Sequence, residues 1–376
     1  MKDTLISVRN RALRTVYKWI LKPILFQFDA ELIHDSFIKI GQTIGKSVIT
    51  RKISSFFCNY KESSLEQNIA SLNFVNPLGL AAGFDYEGRL TETMPEIGFG
   101  FETIGTITNY PYGGNIKPRL GRLPKSRSLL VNKGFKNLGI HKTLENLVGK
   151  KFKIPVGLSI GVTNTSSLSN QKEAILDIVN AFKVAENYKI PFSYYELNIS
   201  CPNLQTSVEF YSATNLEELL SAVTKNKLSK PLFIKMPIDK TDTEVLEMLE
   251  VILKYGVTGV IFGNLQKNKQ DPTLDPKEVA LFSKGNFSGK PTEKRSNELI
   301  SLTYKTCGGK IIIIGCGGVF NADDAYKKIK LGASLVQLIT GMIFEGPQVI
   351  SDINLGLVKL LKKDSYKNIS EAIGKD

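Results

Sequence analysis

The feature that most constrains this chain is an alternation that begins near residue 77 and runs almost to the end. Short apolar runs rich in β-branched residues, closed by Gly, Asn or Ser, alternate with longer amphipathic segments. The apolar runs cover 78–84, 101–108, 154–161, 194–200, 231–236, 257–264, 310–315 and 334–340. Most are continuously apolar, the pattern of strands covered on both faces. Between them, 172–187, 215–225, 243–254, 296–306 and 322–330 carry apolar residues at helical spacing. Thr241 and Asn321 stand as N-caps, and Glu244 lies at the capping-box distance from Thr241. Gly256 and Gly332 stand where helices should stop. Parallel strands need crossovers, so eight strands with intervening helices predict an α/β fold, a (β/α)8 TIM barrel. A doubly wound open sheet is the structural alternative.

A chain of 376 residues could hold two or three domains, but α/β barrels of this size form one. The expected division is a helical N-terminal extension over 1–70 and a barrel over 71–376. In the extension, Arg9, Arg11, Arg14, Lys18 and Lys22 interleave with Leu13, Val16, Tyr17, Trp19, Ile20 and Leu21. No apolar run is long enough to span a bilayer, and the start lacks a secretory pattern. Two readings of this basic amphipathic stretch stand side by side. It lies on a membrane surface, or it packs its apolar face on the barrel with its cations outward.

The net charge of +13 admits nucleic acid, anionic membrane or anionic ligands as partners. No recognition motif and no basic stripe with interleaved aromatics occurs outside the N-terminus, so nucleic acid is not expected. The four cysteines form no CxxC pair, and His34 and His141 lie far apart. Neither a disulfide framework nor a metal site is expected, a reduced compartment fits, and both histidines read as structural or surface residues.

In a barrel of this kind the carboxyl ends of the strands carry function. The fourth run ends in NISCPN, where Asn198 and Asn203 flank Cys201. Asn side chains donate and accept, so a pair can clamp a planar ring of amides and carbonyls, and a thiol can act as base or nucleophile. Alternatively, Cys201 is a buried residue in a turn fixed by Pro202. Lys235 stands in the apolar run FIKMP and must pair with something or point into a cavity. Asn264 ends the sixth run, with an ordinary turn as its plain reading. The turns GNFSGKP (285–291) and GCGGVF (315–320), with Thr340 and Gly341 after the eighth run, sit where barrels often bind phosphate. No GxGxxG follows the first strand and no GxxxxGK[ST] occurs, which leaves Rossmann and P-loop readings unsupported. A long Gly- and Pro-rich excursion, 109–136, reads as a functional loop.

Together these residues resemble the dihydroorotate dehydrogenases. The matching stretches include NPLGLAAGFD (76–85), IGTIT (104–108), GNIKPRLGRLP (114–124), GFKNLG (134–139), NISCPN (198–203), FIKMP (233–237), FSGKP (287–291), IIGCGGV (313–319) and GASLVQLITGMIFEGP (332–347). KPILFQFDAELIHDSFIKIG (22–41) resembles the extension of the membrane-associated, quinone-using branch. The resemblance implies an FMN barrel that oxidises dihydroorotate to orotate in pyrimidine synthesis and passes electrons to quinone, peripherally bound at the cytoplasmic face of the inner membrane. It implies FMN contacts at Ala82, Gly83, Thr106, Ser159, Asn198, Lys235 and Ile339, with the phosphate at Gly289, Gly318 and Thr340. The pyrimidine ring would meet Asn198, Asn203, Asn264, Gly134 and Phe135. Cys201 would be the base at C5.

The chain departs from the family pattern at several positions. Cys201 and Ser159 are similar to the soluble branch, where the quinone branch usually has Ser and Asn. Tyr86 stands where the GFDK motif has Lys. Val131 stands where INR(x)GF has a substrate-binding Asn, with Asn132 one place later, and Leu265 replaces a small hydroxyl residue. Lys133 could supply a charge, although adjacent residues need not point the same way. A flavoprotein acting on another dihydropyrimidine-like substrate is one alternative, and a flavin-free phosphate-binding lyase or isomerase is another. Arg119, Arg122, Lys125 and Arg127 are expected to border the entrance for an anionic substrate.

Overall fold

A computed structural model describes residues 2–168, 170–205 and 208–376. Eight strands close a barrel: β1 (Leu78–Leu80), β2 (Phe101–Ile107), β3 (Val156–Ile160), β4 (Tyr194–Asn198), β5 (Leu232–Met236), β6 (Gly259–Phe262), β7 (Ile312–Cys316) and β8 (Leu335–Leu338). Each pairs in parallel with its sequence neighbours, and β8 closes on β1. The eight expected strands and the barrel are all present.

The strands are mostly shorter than the apolar runs. β1 stops at Leu80 and β4 at Asn198, while the apolar run continues. The extra residues have left the ladder to line the mouth, where apolar side chains are buried against loops rather than against neighbouring strands. The Thr241 capping box is formed, with the Glu244 N–H donating to Thr241 Oγ1 at 3.2 Å and the Thr241 N–H donating to the Glu244 carboxylate at 2.8 Å.

The amino end of the barrel is sealed. Phe101, Tyr194, Phe233, Ile261, Ile314 and Leu335 fill it, joined by Phe74 from a hairpin, Gln67–Ile69 with Leu72–Phe74. That hairpin was not expected, since three-residue strands leave no periodic signal. Above this layer the interior turns polar. Gln337 Nε2 donates to Thr103 Oγ1 at 2.8 Å, and Thr103 meets the Tyr194 hydroxyl at 2.6 Å.

The excursion after β2 is more ordered than a loop. Leu120–Leu123 and Ser128–Val131 form an antiparallel pair that takes Asn286–Phe287 as a third strand. Its cations do not border the substrate mouth as free charges. Arg119 pairs with Glu31, Arg122 donates to the Phe28 carbonyl, Lys125 faces Asp275 and Arg127 pairs with Glu345. They tie this small sheet to the extension and the late loops.

The extension contains α1 (Lys2–Val16), α2 (Ala30–Lys46) and α3 (Val48–Cys58). α1 docks largely through polar groups. Asn10 is fully buried and donates to Ser351 Oγ at 3.0 Å, Arg9 reaches the same hydroxyl at 2.8 Å, and Arg14 faces Asp352 at 3.5 Å. Trp19, 80% exposed, and Ile20, Leu21 and Ile24, about half exposed, point outward, while Tyr17, Leu25 and Phe26 turn toward the barrel mouth. The stretch thus packs Tyr17 on the barrel and leaves Trp19, Ile20 and Leu21 uncovered. Among the described residues no helix is long and apolar enough to cross a membrane.

Candidate active site

The carboxyl ends of the strands open into a cleft with a polar floor. Parallel register puts Asn198 beside Lys235 and Ser159 beside Glu196, all on the inward face. A buried hydrogen-bond chain runs through them. Asn198 Nδ2 donates to Thr106 Oγ1 at 2.8 Å, Thr106 Oγ1 meets Ser159 Oγ at 2.8 Å, and Ser159 Oγ donates to Glu196 Oε1 at 2.7 Å. Glu196 Oε2 has no partner among the described residues. Buried polar groups of this sort hold one arrangement because every broken link strands a donor or acceptor.

The chain continues upward. Asn198 Oδ1 accepts from the Ser200 hydroxyl at 3.1 Å, and that hydroxyl accepts from Asn264 Nδ2 at 2.6 Å. Asn203 accepts from Asn286 at 2.7 Å and donates to the Val131 carbonyl at 3.1 Å. Asn198 and Asn203, from the end of β4 and the turn after it, and Asn264, from the end of β6, thus converge on one cavity with fixed orientation. Cys201 lies among them, and burial pushes its thiol up to about 11, while a backbone hydrogen bond at Asn203 and the charges of Lys235 and Lys267 pull the other way.

Of the residues expected here, Ala82, Gly83, Thr106, Asn198, Lys235, Ile339, Thr340, Cys201, Asn203, Asn264, Gly134 and Phe135 all line this cleft. Ser159 does not. It lies one layer below and reaches the cleft only through Thr106. The departures Tyr86, Val131 and Leu265 line it as well, whereas Asn132 turns away to accept from Asn115 at 3.0 Å. Glu196 escaped the sequence reading, although a carboxylate within YYELN is as anomalous in an apolar run as Lys235 in FIKMP.

Ala82, Lys235, Asn264, Ser288 and Thr340 are shared with an adjoining cleft whose far wall is Gly317, Gly318 and Gly341. At Gly318, with φ +71°, a Cβ would fall 2.3 Å from Glu293 Cβ, and at Gly289, with φ +81°, 2.5 Å from the Arg127 carbonyl. Gly318 lines this second cleft, and Gly289 packs behind Thr340. At both turns a side chain would strike protein packed behind the glycine, so the backbone there stays bare, and Lys235, 4% exposed, lies on the barrel wall. A glycine-rich far wall and an ammonium on the barrel wall suit a flat ligand carrying phosphate.

A third cavity opens between α2 and the barrel mouth. Tyr17, Phe26, Ile33, Phe37, Met342 and Ile343 make it apolar, and His34, Phe84, Leu120, Leu129 and Ile343 line both it and the polar cleft. His34 is therefore not a surface residue. Its Nε2 lies 2.9 Å from the Phe84 carbonyl, and burial, with Lys133 adding, lowers its pKa below the ordinary histidine value.

The sequence model described as dihydroorotate dehydrogenase matches residues 64–361. "Dihydroorotate dehydrogenase (quinone)" of Trichodesmium erythraeum is 32% identical over 96% of this chain and 98% of its own length. The protein of the same name from Christiangramia forsetii is 34% identical over 93% of this chain and 99% of its own. The crystal structure of DHODH from Eimeria tenella in complex with ferulenol superposes with a TM-score of 0.80 at 26% identity, covering 93% of this chain and 98% of that one.

Proposed function

The chain belongs to the dihydroorotate dehydrogenase family, and we propose that the polar cleft is where it oxidises dihydroorotate to orotate in pyrimidine biosynthesis, with a quinone as electron acceptor. It is an oxidoreductase acting on a CH–CH bond. The observation that carries this reading is the convergence of Asn198, Asn203 and Asn264 with Cys201 and Lys235 in one cleft at the barrel mouth.

We assign FMN as the cofactor. Ala82, Gly83, Thr106, Asn198, Lys235 and Ile339 would hold its ring, with Ser159 acting through Thr106. Gly318 and Thr340 would hold the phosphate, with Gly289 supporting Thr340. When bound, FMN supplies a two-electron acceptor that can be reoxidised by a quinone. Lys235 favours negative charge along that wall. The amides of Asn198, Asn203 and Asn264, with Gly134 and Phe135, hold the pyrimidine, and the Ser200 and Thr106 links keep two of those amides from rotating. Cys201 takes the proton from C5 as thiolate. Because burial outweighs the pull of Lys235 and Lys267, thiolate is scarce at neutral pH.

The apolar cavity under α2 is assigned to the quinone. Its five shared lining residues support a short separation between the two half-reactions. The exposed Trp19, Ile20, Ile24 and Phe28, near Arg11, Lys18 and Lys22, suit a peripheral contact with an anionic bilayer. The chain then works as an extension over 1–70 that faces the membrane and a catalytic barrel over 71–376, at the cytoplasmic face of the inner membrane. The test is the purified protein: it should be yellow, lose its flavin absorbance on anaerobic addition of dihydroorotate, and regain it with a quinone. A colourless protein that cannot take up FMN would contradict the assignment.

A further inference from the structure

Within the polar cleft, one wall lacks the groups the family uses there. Tyr86, Val131 and Leu265 offer no cation, and Tyr86 is a half-buried phenol whose pKa desolvation raises. Lys133 lines the same wall. Its residue is 3% exposed, and its Nζ makes no hydrogen bond among the described residues. The ammonium lies 4.6 Å from the centre of the Tyr86 ring and 3.7 Å from Glu31 Oε1.

Glu31 does not satisfy it. That carboxylate already accepts from Arg119 Nε at 2.9 Å and from Lys136 Nζ at 3.0 Å. One carboxylate thus faces three cations, and the nearby Asp35 is bound to His34 and about half exposed. A buried ammonium whose one carboxylate neighbour is 3.7 Å away and shared with two other cations is under-neutralised, and an anion entering the cleft would relieve it. The other ammonium lining the cleft, Lys235, belongs to β5 on the barrel wall.

Resting on the function proposed above, we propose that Lys133 is the cation that binds the carboxylate of the pyrimidine substrate, taking over from the lysine that the family carries at the position of Tyr86. The aromatic ring that replaced that lysine now holds its substitute by a cation–π contact. The rival role for Lys133 is purely structural, anchoring Glu31 and hence α2.

The test compares two ligands on the FMN-loaded protein. Orotate carries the carboxylate, and uracil is the same ring without it. Binding is read from the shift of the flavin spectrum. Lys133→Met should weaken orotate about 100-fold, equivalent to about 2.8 kcal/mol, and uracil by less than about threefold. FMN content and Tm should stay near wild type. If the variant does not fold, Lys133→Gln takes its place and must show the same selective loss. Unchanged orotate binding, or equal loss of both ligands, would overturn the proposal while leaving the function intact. A wild-type protein that neither binds orotate nor is reduced by dihydroorotate would instead overturn the function, and this proposal with it.

Discussion

Two cavities share a wall in this molecule and are built by opposite means. The polar cleft is made by strand ends, and its side chains are fixed by the barrel register and by a buried chain from Asn264 to Glu196. The apolar cavity is made by residues that α2 and the preceding turn lay against the barrel mouth. One is specified by hydrogen bonds that lose free energy when any member is missing. The other is specified by shape and apolar area, which tolerate volume-conserving changes. The lesson is that each half of the reaction should fail separately, and that only residues lining both cavities, such as His34 and Ile343, should touch both.

The largest separation should come from Cys201→Ala. Reduction of the flavin by dihydroorotate should slow by about 10²–10⁴-fold, the usual worth of a positioned base. Reoxidation by quinone of chemically reduced protein should be unchanged in stopped-flow. A loss in both phases would break the comparison.

The pH profile comes next. The reactive base is the thiolate and burial raises the thiol to about 11, so reduction should accelerate as pH rises toward that value. Below it the thiolate fraction grows about tenfold per pH unit. Cys201→Ser should remove this titration, while the quinone step should show none in either protein.

Ile33→Trp addresses the other side. Ile33 lines only the apolar cavity. Filling it should raise the KM for quinone about tenfold, for about 1–3 kcal/mol of overpacking, and leave the reduction rate alone.

The smallest effect should come from Glu31→Gln. Burial alone would raise this carboxyl, but hydrogen bonds from Lys136 and Arg119 with the charge of Lys133 bring it down to about 2. A depressed folded-state pKa gives stability that is present above the ordinary carboxylate value and lost as pH falls through the folded one. The variant should therefore melt a few degrees below wild type at neutral pH. That difference should shrink as pH falls from about 4.5 toward about 2.

The barrel was legible because strands buried on both faces write an unbroken apolar run, and each β strand lies in one. The strand ends were not, because residues such as Ala81 and Ala82 stay apolar after leaving the ladder. The Leu120–Val131 sheet stayed hidden inside a Gly- and Pro-rich stretch, since its pairing with Asn286–Phe287 is long-range. In the site, Asn198, Asn203, Cys201 and Lys235 stood out as polar residues in apolar settings, and Glu196 carried the same signal unread. Lys133 could not be resolved from sequence. It follows Asn132 in a turn where Gly134 and Phe135 both take positive φ, so which of the two neighbours faces the cleft is decided only by the fold.

The measurement that bears most directly on the whole account is an anaerobic double addition to the FMN-loaded protein, dihydroorotate first and then a quinone, followed at the flavin absorbance. Full loss of absorbance with the first and full recovery with the second is the predicted result. No loss with dihydroorotate, or loss that a quinone fails to reverse, would contradict it.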